Sequence, residues 1–419
     1  MALDPEELRR KRQYMKAKRE KARKKLLLRL GVAGGVFLIV LIFLIVMANK
    51  PRSGNAPDPS LSGETQGTTV PDATEPPTTV IHFAAAGDLN VTERLVASGG
   101  ADYDYSKTFL DVAPILADAD LTTVNLEGNL CGAPYGSSAS APQSLAETLR
   151  SAGVDMVQLA NSYAIHRGVS GLLTTIDSVR LGGMEPVGVF KNQAEYEEKQ
   201  GFSLFEVKGV RVAVVSFTKG MDGTTLPPGN EDCVNVLYSD YDSTYQKIDK
   251  TKIRQVMEAV QQQSPDITVA LLHWGSEYND NISASQKSIC SLLQDYGVDA
   301  IIGTHPHYVH EIDFDPEKGT LVAYSLGDFA GDAQRAGTEY SIILNMEITK
   351  DNETGKASIT GYSYTPIFTV AEAHSPIRVL RIREAMAAYE AGYMEAVSQE
   401  TYEAMKYALE RIESRVSGQ

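Results

Sequence analysis

The stretch ITVALLHWGSEY, Ile267–Tyr278, and the stretch VDAIIGTHPH, Val298–His307, decide how this chain is read. Each opens as an apolar run of buried-strand length and then breaks into polar side chains that can hold a metal. Between them, residues 284–296 space their apolar side chains by three and four, the signature of a helix. Strand, helix and strand in succession predict a parallel pair with the helix laid across one face. In such sheets the ligand site lies beyond the carboxyl ends of the strands. His273, His305 and His307 are therefore expected on one rim.

Working outward, Val80–Ala86, Leu121–Leu126, Asp155–Ala160 and Arg211–Thr218 also read as buried strands. Helical spacing recurs near 106–118, 142–152, 169–182 and 244–263. The alternation predicts an α/β fold, a sheet covered by helices. Thr320–Leu326, Tyr340–Ile348 and Ala357–Tyr364 have no helices between them and read as antiparallel additions. From about Pro376 to Val416 the chain reads as two helices broken near Val397–Ser398, with Tyr389, Tyr393, Tyr402 and Tyr407 as packing residues.

The ends of the earlier strands extend the rim. One ends in Gly87-Asp88, a second in Asn125-Leu126-Glu127-Gly128 and a third in Ala160-Asn161-Ser162-Tyr163. With the histidines, five strand ends supply two carboxylates, three imidazoles and an amide. That mixture suits a divalent cation such as Mn, Fe or Zn, because imidazoles add donors without adding anionic repulsion. The competing reading is that the His-Pro-His pair only caps a strand. Four of the seven histidines fall in His273–His310, and every neighbouring strand end is polar as well, which favours the metal.

Composition narrows the rest. With 419 residues, 43% apolar and 22% charged, the chain is globular in character and long enough for two or three domains. The net charge of −15 conceals a basic first 29 residues at +8 and a remainder at −23. So acidic a body repels a phosphate backbone, and no nucleic-acid partner is expected. Leu30–Ala48 carries no charge and is long enough to cross a bilayer. The basic flank predicts a cytoplasmic N-terminus and an extracytoplasmic body, a single-pass protein of the cell membrane. A cleaved signal peptide is the rival, although its apolar core would be shorter. Pro51, Pro57, Pro59, Pro71, Pro76 and Pro77 among Ser, Thr and Gly mark a tether. The expected organisation is a basic segment 1–29, a span 30–49, a linker 50–79, an α/β domain 80–370 and a helical tail 371–419. Three cysteines exclude a disulfide scaffold, though Cys131 and Cys233 could pair outside the membrane. GxSxG is absent, so a serine hydrolase is not indicated.

In order, the chain holds Ala86-Gly87-Asp88, Asn125-Leu126-Glu127, Ala160-Asn161, HWGSEY at His273–Tyr278, GTHPH at Gly303–His307 and YSLGDF at Tyr324–Phe329. This series resembles the CapA family of capsule or poly-γ-glutamate biosynthesis proteins, over about Ile81 to Phe329. The resemblance implies a four-layer, metallophosphoesterase-like sandwich of two sheets flanked by helices, and a role in making or exporting an anionic cell-envelope polymer. It also implies a metal site at Asp88, Glu127, His273, His305 and His307, and capsule-synthase membrane subunits as partners. The family pattern Ala-Asn-Asn-His-x-x-Asp-x-Gly departs here at three places. Ser162 stands for a coordinating amide, Tyr163 for a proton-donating imidazole and His166 for an aspartate. Asp328 stands where the family commonly has asparagine.

A serine hydroxyl is a shorter and poorer ligand than a carboxamide. A tyrosine, with a reference pKa of ~10, is a weak proton donor at neutral pH. A two-metal clamp is thereby compromised, and two roles stay open: a metal-dependent hydrolase, or a non-catalytic subunit that grips the polymer. His166 is the substitute proton donor if its loop turns inward; Glu277 is either an acceptor orienting a ligating histidine or a rim ion pair. Trp274 is read as a wall of the cleft. Arg94 and Asn161 are the remaining candidates for substrate contact, with Arg167 and Arg335 weaker.

Overall fold

The computed structural model describes residues 77–418, apart from 334, 372–374 and 394–396. The chain divides into Met1–Ala73 and Thr74–Gln419, and all described residues fall in the second unit. The basic segment, the span and nearly all of the linker lie outside them. Among the described residues no helix is long and apolar enough to cross a membrane.

Among the described residues fourteen strands form two sheets. The chain first lays down β1 (Thr78–Asn90), β2 (Leu121–Glu127), β3 (Met156–Gln158) and β4 (Glu185–Val187), all parallel and side by side. It then builds a second sheet from β5 (Phe202–Val207), β6 (Val210–Thr218), β7 (Ile267–His273), β8 (Ala300–Thr304), β9 (Ile312–Asp315) and β10 (Thr320–Ala323), ordered β5-β6-β7-β8-β10-β9. Finally it returns to the first sheet. There β11 (Asp328–Ala330) lies along the end of β1, while β12 (Tyr340–Asp351), β13 (Ala357–Val370) and β14 (Arg378–Arg381) extend the other edge antiparallel.

Alternation along the strands sorts side chains into layers. Ile81, Phe83 and Ala85 of β1 meet Val212 and Val214 of β6, Val269 and Leu271 of β7, and Ala300 and Ile302 of β8 between the sheets. Their alternates face outward. Val124 and Leu126 are covered by Leu145 and Leu149 of α4 (Ser144–Ser151) and by Leu172 and Ile176 of α5 (Gly168–Leu181). On the far side, Ala270 and Leu272 pack under Ile253 and Val256 of α7 (Lys250–Gln262) and Ile289 and Leu293 of α8 (Ala284–Asp295). The result is a mixed α/β fold, two sheets between two helical layers. Each fully buried Val, Leu or Ile contributes roughly 1.5–3 kcal/mol, so the three apolar layers hold the strand ends in place.

Several expectations change. Thr320–Ala323 runs parallel to β8, because the loop after β8 and the antiparallel β9 carry the chain back before it enters the sheet. Residues 106–118 form two short helices, α2 (Ser106–Phe109) and α3 (Ala113–Asp118), the second opening on Pro114. α7 starts only at Lys250, where the Asp249 side chain accepts the Lys252 N–H at 3.0 Å as a cap. Arg378–Arg381, expected to be helical, is strand β14, followed by α9 (Ile382–Glu390) and α10 (Gln399–Val416). These tail helices place Ile382, Ala385, Met405, Ala408 and Ile412 in the inter-sheet core. Tyr389 and Tyr402 stack with ring centroids 4.7 Å apart, whereas Tyr393 and Tyr407 are exposed. Cys131 and Cys233 are free thiols. Cys131 contacts the Ser140 hydroxyl, and Cys233 contacts the Lys191 carbonyl.

Candidate metal centre

The site forms where the inter-sheet layer runs out of apolar residues. On β1, Ala85 faces the second sheet and Ala86 faces the outer helices. Pairing with β2 then skips Gly87, so that Ala86 is opposite Val124 and Asp88 is opposite Asn125. That extra residue flips the alternation and turns Asp88 inward. Only glycine fits at the bulge, since a Cβ on Gly87 would sit 1.8 Å from the Gly327 carbonyl oxygen. The same carbonyl accepts the Asp88 N–H at 3.0 Å. On β2, Asn125 and Glu127 share the inward face, while Val124 and Leu126 pack outward. His273 follows the parity of Leu271 and faces the gap. Past β8, His305 and His307 both take left-handed backbone, at φ 91° and 62°. Non-glycine residues pay strain there and are held so by their surroundings.

Two groups of side chains converge. Asp88, Glu127 and His307 offer ligand atoms within 4.8 Å of one another, and so do Glu127, His273 and His305. Glu127 belongs to both. All five expected metal residues are thus brought together and are buried. Asp88 accepts the His305 N–H at 2.9 Å and the Asn125 side-chain N–H at 2.6 Å. His307 Nδ1 lies 2.7 Å from Asp328 Oδ1, which orients its ring. His273 Nε2 is 3.1 Å from the Ser162 hydroxyl, and its Nδ1 is 3.2 Å from that of Thr304.

The electrostatics are those of charge withdrawn from water. Burial raises Asp88 to about 6 and lifts Glu127 well above the usual carboxylate range. Burial holds His273 and His305 well below the ordinary imidazole value. For His307 burial works against the charged form, but the Asp328 bond and the carboxylates of Glu127 and Asp88 prevail and lift it to about 11. Two observations show that the donor set fits a divalent cation. Among the described residues the Glu127 carboxylate has no hydrogen-bond partner closer than the Asn125 amide at 3.4 Å, and buried His305 Nδ1 has none. Carboxylates with imidazoles are the ligands such an ion takes.

Other candidates fall elsewhere. Trp274 has the opposite parity to His273, is fully buried in the outer core, and donates its Nε1–H to the Tyr324 carbonyl at 3.0 Å. It is a core residue and not a cleft wall. Asn161 is consumed as a loop anchor: its amide donates to Asn125 Oδ1 and the Leu126 carbonyl, and its oxygen accepts the Tyr163 N–H. His166 is exposed in the turn before α5, its ring 5.3 Å from that of Tyr163. Tyr163 is half-buried, and burial raises its hydroxyl to about 12. Arg94, on α1 (Glu93–Ser98), is 3.8 Å from Asp332 in a partly exposed ion pair. Arg167 reaches the Ser138 hydroxyl, and Arg335 lies 4.3 Å over the Tyr278 ring. Glu277 is exposed on the rim, and the acceptor that orients a histidine is Asp328 instead.

Three residues at the centre had been given no role. Asn125 bridges Asp88, Glu127 and His273, and its signal was an amide two positions before Glu127 on the inward face. Asp328 had been noted only as a departure. Lys219 directly follows β6, a sixth strand end. Its Nζ donates to the Gly275 carbonyl at 2.9 Å, lies 3.4 Å from His305 Nε2, and sits 4.7 Å from the centroid of the Tyr245 ring. Burial pulls it below the ordinary lysine value. Lys219, Ser162, Asp222, Ser276, Glu277 and His305 line a cleft of about 240 Å³. A larger cavity, about 420 Å³, lies against β5 between Lys199, Phe202 and Leu204, away from these ligands.

A family model described as bacterial capsule synthesis protein PGA_cap matches residues 82–333, which contain every residue of the centre. The chain belongs to that family. Its relatives include the capsule biosynthesis protein CapA of Bacillus anthracis, 28% identical over 274 residues, covering 62% of this chain and 61% of that protein. The PGA biosynthesis protein CapA of Bacillus subtilis (strain 168) is 26% identical over 294 residues, 67% of this chain and 71% of the relative. The chain therefore spans less than two thirds of the first relative's length. A crystal structure of a novel phosphatase from Mycoplasma pneumoniae aligns with TM-score 0.42 and 16% identity, over 70% of this chain and 94% of that one.

Proposed function

We propose that this PGA_cap protein is a membrane-anchored, extracytoplasmic, metal-dependent hydrolase or transferase of capsule-polymer biosynthesis, with a metallophosphoesterase-like fold. The polymer is anionic, of the poly-γ-glutamate type that the sequence resemblance implies; the Bacillus subtilis relative is named a PGA biosynthesis protein. The observation that carries the reading is Glu127. It is a carboxylate 3% exposed, without a close hydrogen-bond donor among the described residues, and common to two ligand groups. Leaving such a charge buried and unpaired is costly, and a cation relieves it.

Asp88, Glu127, His273, His305 and His307 would hold the metal. Bound there, a divalent ion supplies Lewis-acid charge to an oxygen of the reacting ester, phosphoryl or amide group. The chain's own residues do the rest. Asn125 fixes Asp88, Asp328 fixes the His307 ring, and the cleft beside His305 admits the substrate under Lys219. The uncharged segment Leu30–Ala48 with its basic flank supports the anchor and its orientation.

Tyr163 favours a second reading. A hydroxyl raised to about 12 donates a proton poorly at neutral pH, which suits a subunit that binds the polymer within a synthase complex without cleaving it. Metal analysis of the purified full-length chain tests the first claim: stoichiometric Mn, Fe or Zn, lost in Glu127→Gln, is expected, and a metal-free protein under saturating conditions would refute it. Cells carrying Glu127→Gln in place of the natural protein should lose surface polymer. Phosphoester and γ-glutamyl amide hydrolysis by the metal-loaded protein separates the enzyme from the binding subunit.

A further inference from the structure

The two ligand groups that share Glu127 are unequal. The group of Asp88, Glu127 and His307 contains two carboxylates, and Asp328 lies behind its imidazole at 2.7 Å. Such a concentration of buried negative charge matches a divalent ion. The other group has only the shared carboxylate, with the imidazoles of His273 and His305. His273 is already satisfied on both ring nitrogens, by Ser162 at 3.1 Å and by Thr304 at 3.2 Å. A cation also stands beside this half. Lys219 Nζ is 3.4 Å from His305 Nε2.

Lys219 itself has no carboxylate within 4.0 Å among the described residues. Among the described residues its acceptors are the Gly275 carbonyl and the imidazole, so of its three N–H donors one is left for the cleft. A half-buried ammonium next to an anionic centre, with Asp222 and Glu277 of the cleft beyond ion-pair distance, offsets charge there as a metal would.

We propose that Lys219 is a built-in cation that takes the place of a second metal ion, so that the centre holds one divalent ion, at Asp88, Glu127 and His307. This rests on the metal-dependent reading above and narrows its five candidate ligands to three, leaving His273 and His305 on the side of Lys219. The shared Glu127 then lies between the ion on one side and the half of the site that Lys219 serves on the other. An anionic oxygen of the substrate entering the cleft meets the ammonium directly.

The test is a Mn2+ titration of the detergent-solubilised full-length protein, followed by electron paramagnetic resonance and equilibrium dialysis. The natural protein should bind one ion per chain and give the six-line spectrum of isolated Mn2+. Lys219→Met should bind a second ion at least about tenfold more tightly than the natural protein does, with a spin-coupled spectrum, since the ions would share Glu127. Lys219→Arg retains the charge and should behave as the natural protein; it stands as the folded control if Lys219→Met is unstable. Two ions bound with similar affinity by the natural protein would overturn the proposal and leave the metal-dependent reading intact, and would assign the orphaned His305 Nδ1 to the second ion. An unchanged second-site affinity in a folded Lys219→Met would overturn it equally. No ion bound by any variant would remove the reading on which it rests.

Discussion

The carboxylate of Asp88, on the first sheet, accepts the backbone N–H of His305, beyond the end of the second, at 2.9 Å across 217 positions of sequence. One candidate ligand therefore also sets the backbone that carries His305 and His307. Asp88→Asn would turn one acceptor into a donor, facing either the His305 N–H or the Asn125 amide. A loss of about 1–3 kcal/mol is expected, read as a lower midpoint in urea, together with loss of metal. Unchanged stability would show that the bond does not form.

Gly87 allows that geometry. Gly87→Ala would drive a Cβ to 1.8 Å from the Gly327 carbonyl oxygen, against backbone that cannot move without displacing Asp88 and Asp328. Destabilisation of about 3 kcal/mol or more is expected by thermal unfolding, at the upper end for overpacking. Gly361→Ala is the comparison, because nothing lies within 4 Å of its added Cβ. It should shift stability by less than about 0.5 kcal/mol.

Asp328 should act on a bound metal through His307. Asp328→Asn keeps the shape and removes the charge behind the ring, and metal affinity should fall by about 10–100-fold with little change in the unfolding midpoint of the metal-free protein. Competition with a coloured chelator measures it. Equal affinity in the two proteins would mean that the 2.7 Å contact does not tune the ligand.

The positions of Tyr163 and Ser162 bear on catalysis. Tyr163→Phe should leave any hydrolysis within about threefold, because the hydroxyl is too weak an acid to contribute at neutral pH. Ser162→Asn with Tyr163→His should raise phosphoester hydrolysis by at least about tenfold, by adding an amide ligand and a usable proton donor. A severe loss in Tyr163→Phe would instead make the tyrosine part of the chemistry.

Away from the site, Asp299 sits just before β8 and accepts the Thr268 N–H at 2.8 Å, but burial raises it from 3.8 to about 6. Its folded state prefers the proton. The stabilisation is complete below the unfolded value near 3.8 and is lost as pH rises through about 6. The effect is at most about 3 kcal/mol. Asp299→Asn imitates the protonated form, so the melting-temperature advantage of the variant should grow between pH 4 and pH 7. An advantage independent of pH would contradict the assignment.

Much of the centre was legible before any coordinates. Asp88, Glu127, His273, His305 and His307 follow or end apolar runs whose length predicts buried strands, and strand ends in α/β sheets carry ligands. Trp274 shows where that rule stops. It follows His273 in the chain, yet side chains of adjacent strand residues point to opposite faces, so one lines the site and the other the helix-covered core. Asn161 and His166 lie in a loop, whose direction no period specifies. The short β4, β5 and α6 (Gln193–Lys199) escaped the pattern because a few residues hold too little periodicity to register.

Sequence alone determined the alternation of strands and helices, the ligand types at the strand ends and the family, because hydrophobic period and side-chain chemistry are local properties. Tertiary structure decided that the strand ends belong to two sheets facing each other and that a bulge at Gly87 turns Asp88 inward. It also decided that Glu127 is shared and that Lys219 stands beside His305. Those are distances between residues remote in the chain, set by how three apolar layers pack.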